Sequence, residues 1–325
     1  MQGFTKHYIF GMKAYNDMQL TLLKHTIAKY RWLYQLGLQG PDMFFYNSQI
    51  LRHRDYRNVG SYMHEHKVNA FFECCLRRIG TIRSRQQQEE AISYLAGFIN
   101  HYIADSICHP YVYGRIGYPV DAPTSMHHGM HAHLENELDA ILLWKYKKKK
   151  PSEFNQTATI CLNGQEIQFI SHFLASCINE TYYPITYRNN FQVTPAMVHR
   201  SIWALRFGCR TLSDKNGKKK FGIAQVESIF VNHPVASAKM VTDSVTDYRS
   251  SCNLNHEAWS NPWDPTPVST ASFVDLFHET LDKCSRVYAL LNSAVTDNMP
   301  LDKQDLSPLL AELGNESYHS GLPVD

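Results

Sequence analysis

No run of this sequence reaches eighteen apolar residues, so nothing in it predicts a membrane-crossing helix. The first residues, MQGFTKHYIFGMKAY, lack the apolar core and small-residue cleavage site of a secretory signal, and a cytoplasmic protein is the expectation. The eight cysteines are scattered, form no CxxC and include the adjacent pair Cys74-Cys75, which is poorly suited to a disulfide staple; they read as core thiols in a reducing compartment. A formal charge of +2 from 32 basic and 30 acidic residues leaves no broad basic field for nucleic acid. The one dense basic run, Lys145 to Lys150 in KYKKKK, reads as a solvated stretch after a helix. There is no internal repeat and no low-complexity tract. The adjacent His-Asp dipeptide of one phosphohydrolase class is missing, and so are the paired Glu-x-x-His motifs of di-iron bundles.

What is present is enough apolar residue, 44% of 325, for a sizeable core in a single domain spanning 1–325. Its metal-binding half is expected at 1–147 and a C-terminal helical half at 165–325. The apolar residues recur mostly with helical period, as in Ile9, Phe10, Tyr15, Met18, Leu22 and Leu23, so the fold class is all-α, a multi-helix bundle. Helices are expected at about 7–36, 61–80, 86–108, 127–147, 165–182, 195–213, 234–250 and 271–297. A small β-hairpin insert is expected near 157–169, where TATICLNGQEIQF alternates around Asn163-Gly164. SDKNGKKKFG at 213–222 reads as an exposed loop, and Pro262, Pro265 and Pro267 mark another break.

Chemistry concentrates in the N-terminal half. HYIADSICHP spaces His101, Asp105 and His109 four residues apart, which spreads them over about 80° of a helix and about 12 Å along it. Tyr94, Leu95, Phe98, Ile99, Ile103 and Ile107 surround them, so the helix looks buried and its polar groups need partners. HHGMHAHLENELDAILL repeats the step with His131, Glu135 and Asp139; His133 and Glu137 form a competing pair on a different face, and only one pair can point inward. The flanking Leu134, Leu138, Ile141 and Leu142 favour His131 and Glu135. Asp42 follows Gly40-Pro41 ahead of an apolar run, His64 lies in SYMHEHKVNAFF, and His7 opens the first helix. Five histidines and three carboxylates exceed what one zinc ion needs, and two or three ions would suit displacement at phosphorus.

Taken in order, HYIFG, GPDMFFY, the MH followed by an aromatic pair, HYIADSICHP and HxxxExxxD resemble the zinc-dependent phospholipase C family, related more distantly to P1-type single-strand nucleases. The resemblance covers about residues 1–145 and is looser beyond. It implies an all-α fold with zinc as cofactor. Asp42, His64, His101 and Asp105 would hold one ion, His109, His131 and Glu135 a second, and His7 with Asp105 a third that secreted members complete with an N-terminal tryptophan. Tryptophan is absent before His7 here, so the Met1 amino group would substitute or the cluster would hold two ions. The implied activity is hydrolysis of a phosphodiester by ion-activated water, with Asp42 as general base. A phospholipid or another phosphodiester is the expected substrate, with transient membrane-surface contact and no obligate protein partner. Met43 and Ser61 stand where choline-lipid enzymes carry aromatics, which argues against a choline cage, although Tyr62 is a nearby substitute. The alternatives are a P1-type single-strand nuclease or nucleotidase, stacking bases on Phe44, Phe45, Tyr46, Tyr111 or Tyr113, and a helical scaffold that keeps metal without catalysis. In LNHEAWSNPWDP, His256, Trp259 and Trp263 are candidates to reach the cleft.

Overall fold

The computed structural model describes residues 3–46, 59–182, 192–211, 214, 217–230, 237, 240–243, 245 and 247–325. Helices α1 (Phe4–Asp17), α2 (Leu22–Lys29) and α3 (Arg31–Gly37) lead into a 3-10 turn, Gly40–Tyr46. Then come α4 (Val59–Glu65), α5 (Val68–Thr81), α6 (Arg85–Arg115) and α7 (Ser125–Lys147). The second half holds α8 (Gly164–Thr181), α9 (Pro195–Thr211), α10 (Lys218–Phe230) and the single turn α11 (Tyr248–Ser251). A two-stranded sheet, β1 (Trp259–Asn261) and β2 (Asp264–Ser269), precedes α12 (Phe273–Thr296) and α13 (Ser307–Leu313).

Helix α6 is the axis. It starts where the Ser84 hydroxyl caps the Gln87 amide and is buried on nearly every side from Glu90 to Val112. Around it pack α2, α3, α5, α8 and α12, with α1 and α7 beside it and β1 across its C-terminal end. The contact with α3 is a backbone contact: a Cβ on Gly37 would lie 2.1 Å from the Tyr94 carbonyl oxygen, and one on Gly97 would lie 2.1 Å from that of Tyr34. The polar stripe of His101, Asp105 and His109 runs between two apolar borders, Ala104, Cys108 and Tyr111 in one core cluster and Ile99, Tyr102 and Ile103 in the other.

The all-α expectation holds, and several of its parts are corrected. The β-hairpin expected near 157–169 is absent: Gln156–Thr159 is a 3-10 turn and Asn163 starts α8. Asn163 and Glu166 form a reciprocal capping box, each side chain accepting the other's amide, at 2.9 and 2.8 Å. The pattern N-x-x-E was therefore a helix start, and Gly164 needs no positive φ. The hairpin lies instead in the proline-punctuated segment, antiparallel with Trp259 opposite Ser269. Pro265 and Pro267 sit on exposed strand positions of a two-stranded ribbon, where a missing amide costs no interior hydrogen bond, and Pro262 sits in the turn.

The helix expected over 7–36 is three helices, interrupted first between extended Met18 and Thr21, whose side chain caps the Lys24 amide, and again at Tyr30, which leaves the helical conformation. That over 61–80 breaks at Lys67, which takes φ 48°. Part of the expected loop 213–222 is helix from Lys218, its Lys220 amide bound by the Asp214 carboxylate at 2.7 Å, while residues 213, 215 and 216 lie outside the described residues. Within 234–250 the described residues are helical only from Tyr248, apart from a single 3-10 position at Ser237. Helix α6 runs past Pro110 to Arg115 although the Ser106 carbonyl loses its helical donor there, and Gly321 packs against that carbonyl so closely that a Cβ would fall 2.5 Å from it. No described helix is long and apolar enough to cross a membrane.

Candidate metal centre

Five elements converge on the middle of α6. Helix α1 brings His7 and α6 brings His101, Asp105 and His109. The 3-10 turn brings Asp42, α4 brings His64, and α7 brings His131 and Glu135. All eight residues singled out in the sequence meet here, seven of them buried and Asp42 about a quarter exposed.

The donor atoms form close groups. His64 Nε2 lies 3.3 Å from Asp42 Oδ1, His101 Nε2 3.0 Å from Asp105 Oδ2, and His101 Nε2 4.0 Å from Asp42 Oδ1. His109 Nε2 is 3.2 Å from Glu135 Oε1, His131 Nε2 is 3.3 Å from Glu135 Oε2, and His7 Nε2 is 3.1 Å from Asp105 Oδ1. Ligands about 2.0 to 2.1 Å from a tetrahedral zinc stand about 3.3 Å from one another, so these spacings are those of a coordination shell. Among the described residues, three sets have donor atoms within 4.8 Å of one another: His7, His101 and Asp105; Asp42, His64 and His101; and His109, His131 and Glu135.

Backbone carbonyls set the tautomers. The Nδ1 of His64 donates to the Gly60 carbonyl at 2.6 Å, that of His101 to Leu38 at 3.1 Å and that of His109 to Tyr318 at 2.8 Å. Each ring therefore turns the Nε2 lone pair toward the carboxylates, as a metal-ligating histidine must. Among the described residues, buried His101 Nε2 and both Asp105 oxygens have no hydrogen-bond partner, which is costly in an apolar interior unless something else satisfies them. A divalent transition metal fits that need. Gly40 makes room: its φ is +46°, and a Cβ there would fall 2.3 Å from His101 Cδ2.

Charge shapes the same groups. Burial disfavours the ionised form of Asp105, but His109, His7 and His101 outweigh it and hold the carboxyl well below the usual range; Lys6 and His131 do the same for Glu135. Burial opposes ionisation of Asp42 as well, and the His64 hydrogen bond with His101 nearby keeps its pKa low. His7 is pushed down to about 4 by burial and by its stacked neighbour His101, 4.0 Å away.

The competing pair points elsewhere: His133 is half exposed, 3.6 Å from Glu137, and Glu137 binds the Ser251 hydroxyl. Asp139 does not join the donors. Its oxygens accept the Thr5 and Lys6 amides at 3.2 and 2.6 Å, closing the N-terminus of α1 that Gly3 leaves without a side-chain cap. His66 turns to Asp325 at 3.1 Å. His256 is exposed against the Thr270 carbonyl, and Trp259 packs edge-on to Tyr111 in the core. Trp263 does approach, edge-on to Tyr113 at 4.9 Å, and Tyr113 lies 4.6 Å from the His131 ring. Phe44 and Tyr111 are core residues, whereas Phe45 is exposed at the lip, 5.4 Å from His64.

Two further residues belong to this centre. His319 stacks on His64 at 4.8 Å, and its Nδ1 meets the Tyr113 hydroxyl at 3.2 Å; burial, together with His64, His109 and His131, keeps its pKa well below the imidazole norm. In sequence it sits in the polar tail SYHSG, which reads as a solvated terminus. Lys6, fully buried, bonds Glu135 Oε1 at 2.7 Å and lies 3.7 Å from Asp105 Oδ1. Burial disfavours its charge, but the two carboxylates hold its pKa well above the ordinary lysine range. Its one sequence signal is a lysine between Phe4 and the apolar pair Ile9 and Phe10.

Fold and site together define a helical domain built around a buried histidine and carboxylate centre with the chemistry of a zinc site. The chain belongs to the zinc-dependent phospholipase C family, whose sequence model matches residues 6–186 and so includes every donor named above. No match is found among curated proteins or solved structures.

Proposed function

We propose that the chain is a zinc-dependent phosphoric diester hydrolase of phospholipase C type. In this reading Asp42, His64, His101 and Asp105 form one donor set, and His109, His131 and Glu135 another. The observation that carries it is the set of three histidines whose Nδ1 is tied to a backbone carbonyl, so that Nε2 turns inward beside unpartnered Asp105 oxygens. Zinc held there supplies Lewis acidity, making water acidic enough to ionise near neutral pH and drawing charge from phosphoryl oxygens. Asp42 is the donor at the open edge, ionised by its histidine neighbours, and accepts the proton of the attacking water as general base. Tyr113 and His319, hydrogen-bonded to each other, contribute polar groups beside the same donors.

The substrate is a phosphodiester, with a phospholipid at a membrane surface the leading case. Met43 is buried, and Tyr62 stacks on His66, so an aromatic cage for choline has no support beyond Phe45. A single-strand nuclease is the second reading, favoured by one observation: Tyr113, Trp263 and Tyr118 gather beside His131 with Tyr118 stacked on Trp263, a surface on which bases could stack.

Elemental analysis of the purified protein, followed by assays on a generic phosphodiester, phospholipid vesicles and single-stranded DNA, tests the proposal. Bound zinc and hydrolysis lost on chelation are expected, with His101→Ala lowering zinc content and cutting the rate roughly 100-fold or more, and His133→Ala changing neither. Protein that is folded, zinc-free and inactive on all three substrates would sink it.

A further inference from the structure

The described donors do not suffice for three ions. His101 has one nitrogen to give, because Nδ1 is held by the Leu38 carbonyl, so the two sets that share His101 compete for the same Nε2. Its nearest carboxylate oxygen is Asp105 Oδ2 at 3.0 Å, and Asp42 and His64 complete that shell. His109 likewise gives only Nε2, to the shell with His131 and Glu135. Among the described residues this leaves His7 Nε2 and Asp105 Oδ1, 3.1 Å apart, for any further ion, and two protein donors make a weak zinc site. The Met1 amino group lies outside the described residues.

The space beside those two donors already has a cation. The Lys6 ammonium lies 3.7 Å from Asp105 Oδ1 and 2.7 Å from Glu135 Oε1, linking the carboxylates of the two shells, and it is shielded from water. It has three donors and no lone pair while charged, so it satisfies Glu135 Oε1 and repels a divalent ion at close range. Lys6 lies next to His7 on a helix end fixed by Asp139, whose carboxylate binds the Lys6 amide. We infer that the Lys6 side chain is the resident third cation of this centre, so that the chain holds two zinc ions and not three.

The inference rests on the zinc reading above, and zinc stoichiometry separates the two. Zinc per chain is measured by elemental analysis after equilibration with excess zinc and removal of the free metal, with circular dichroism as the check on folding. The expected counts are two for the wild type and two for His7→Ala, since His7 holds no ion of its own. Lys6→Ala removes the ammonium from beside His7 Nε2 and Asp105 Oδ1, and a third equivalent, held less tightly than the other two, is expected. No zinc in the wild type overturns the metal reading itself. Three in the wild type, or a fall below two in His7→Ala, overturns only the inference, and both counts stand even where Lys6→Ala fails to fold. A folded Lys6→Ala that stays at two removes Lys6 from the role of third cation.

Discussion

At the scale of the residue, the centre depends as much on a missing side chain as on the donors. Gly40 combines a left-handed backbone with a position against the His101 ring, where a Cβ would fall 2.3 Å from Cδ2. Gly40→Ala must therefore strain the backbone and also push the imidazole off line, turning Nε2 away from Asp105. We expect a loss of roughly 1–3 kcal/mol in stability and about one equivalent less zinc, measured by denaturant unfolding and elemental analysis. An alanine variant with full zinc content would show that the ring has slack the structure denies. The same residue illustrates what sequence can say. Gly40-Pro41 reads as a helix stop, which it is, but the second reason for the glycine, a ring arriving from a helix sixty residues later, is a tertiary fact.

At the scale of the element, α6 does two jobs, and its sequence displays both. The four-residue step of His101, Asp105 and His109 within an oily helix announces a buried polar stripe, because burial without partners would be too costly to tolerate. Its partners were harder to see. Carbonyls of Leu38, Gly60 and Tyr318 fix the imidazoles, and backbone carbonyls carry no side-chain signature. The helix axes at α3 and α6 approach through Gly37 and Gly97, so Gly97→Ala must separate them. About 2 kcal/mol or more is the expected cost, appearing as a midpoint several degrees lower in thermal unfolding, while Gly164→Ala, with open space around it, should change little. The errors at element scale share one cause. Periodicity finds faces, but ends are decided by caps: Thr21 interrupts what the apolar pattern continues, and Asn163 with Glu166 begins a helix where Asn-Gly suggested a turn.

At the scale of the whole molecule, the centre joins chain segments that are far apart in sequence, so its charges feed into global stability. Asp105 and Glu135 have folded pKa values well below those of an unfolded chain, so the folded state binds fewer protons. Their contribution is complete above the unfolded carboxylate range, near about 4, and is lost as pH falls through the lower folded values. Zinc acts with the same sign, since its ligands must be deprotonated. A thermal midpoint that falls below about pH 4 and drops at neutral pH on chelation is the expected profile. The C-terminal tail carries the last of these long-range links. Tyr318 is fully buried; its amide binds the His64 carbonyl at 2.9 Å and its carbonyl receives the His109 imidazole at 2.8 Å, while its ring lies 4.8 Å from His64. Removing residues 316–325 takes away that acceptor and leaves a ring-sized hole, a loss of roughly 3 kcal/mol or more, and His109 becomes free to turn its Nε2 out of the shell. Zinc content and phosphodiesterase rate should both fall in the truncated chain. Tyr318→Phe keeps the ring and both backbone contacts, and so should retain zinc and rate; if it loses them as the truncation does, the phenol hydroxyl rather than the backbone tie is what the centre needs.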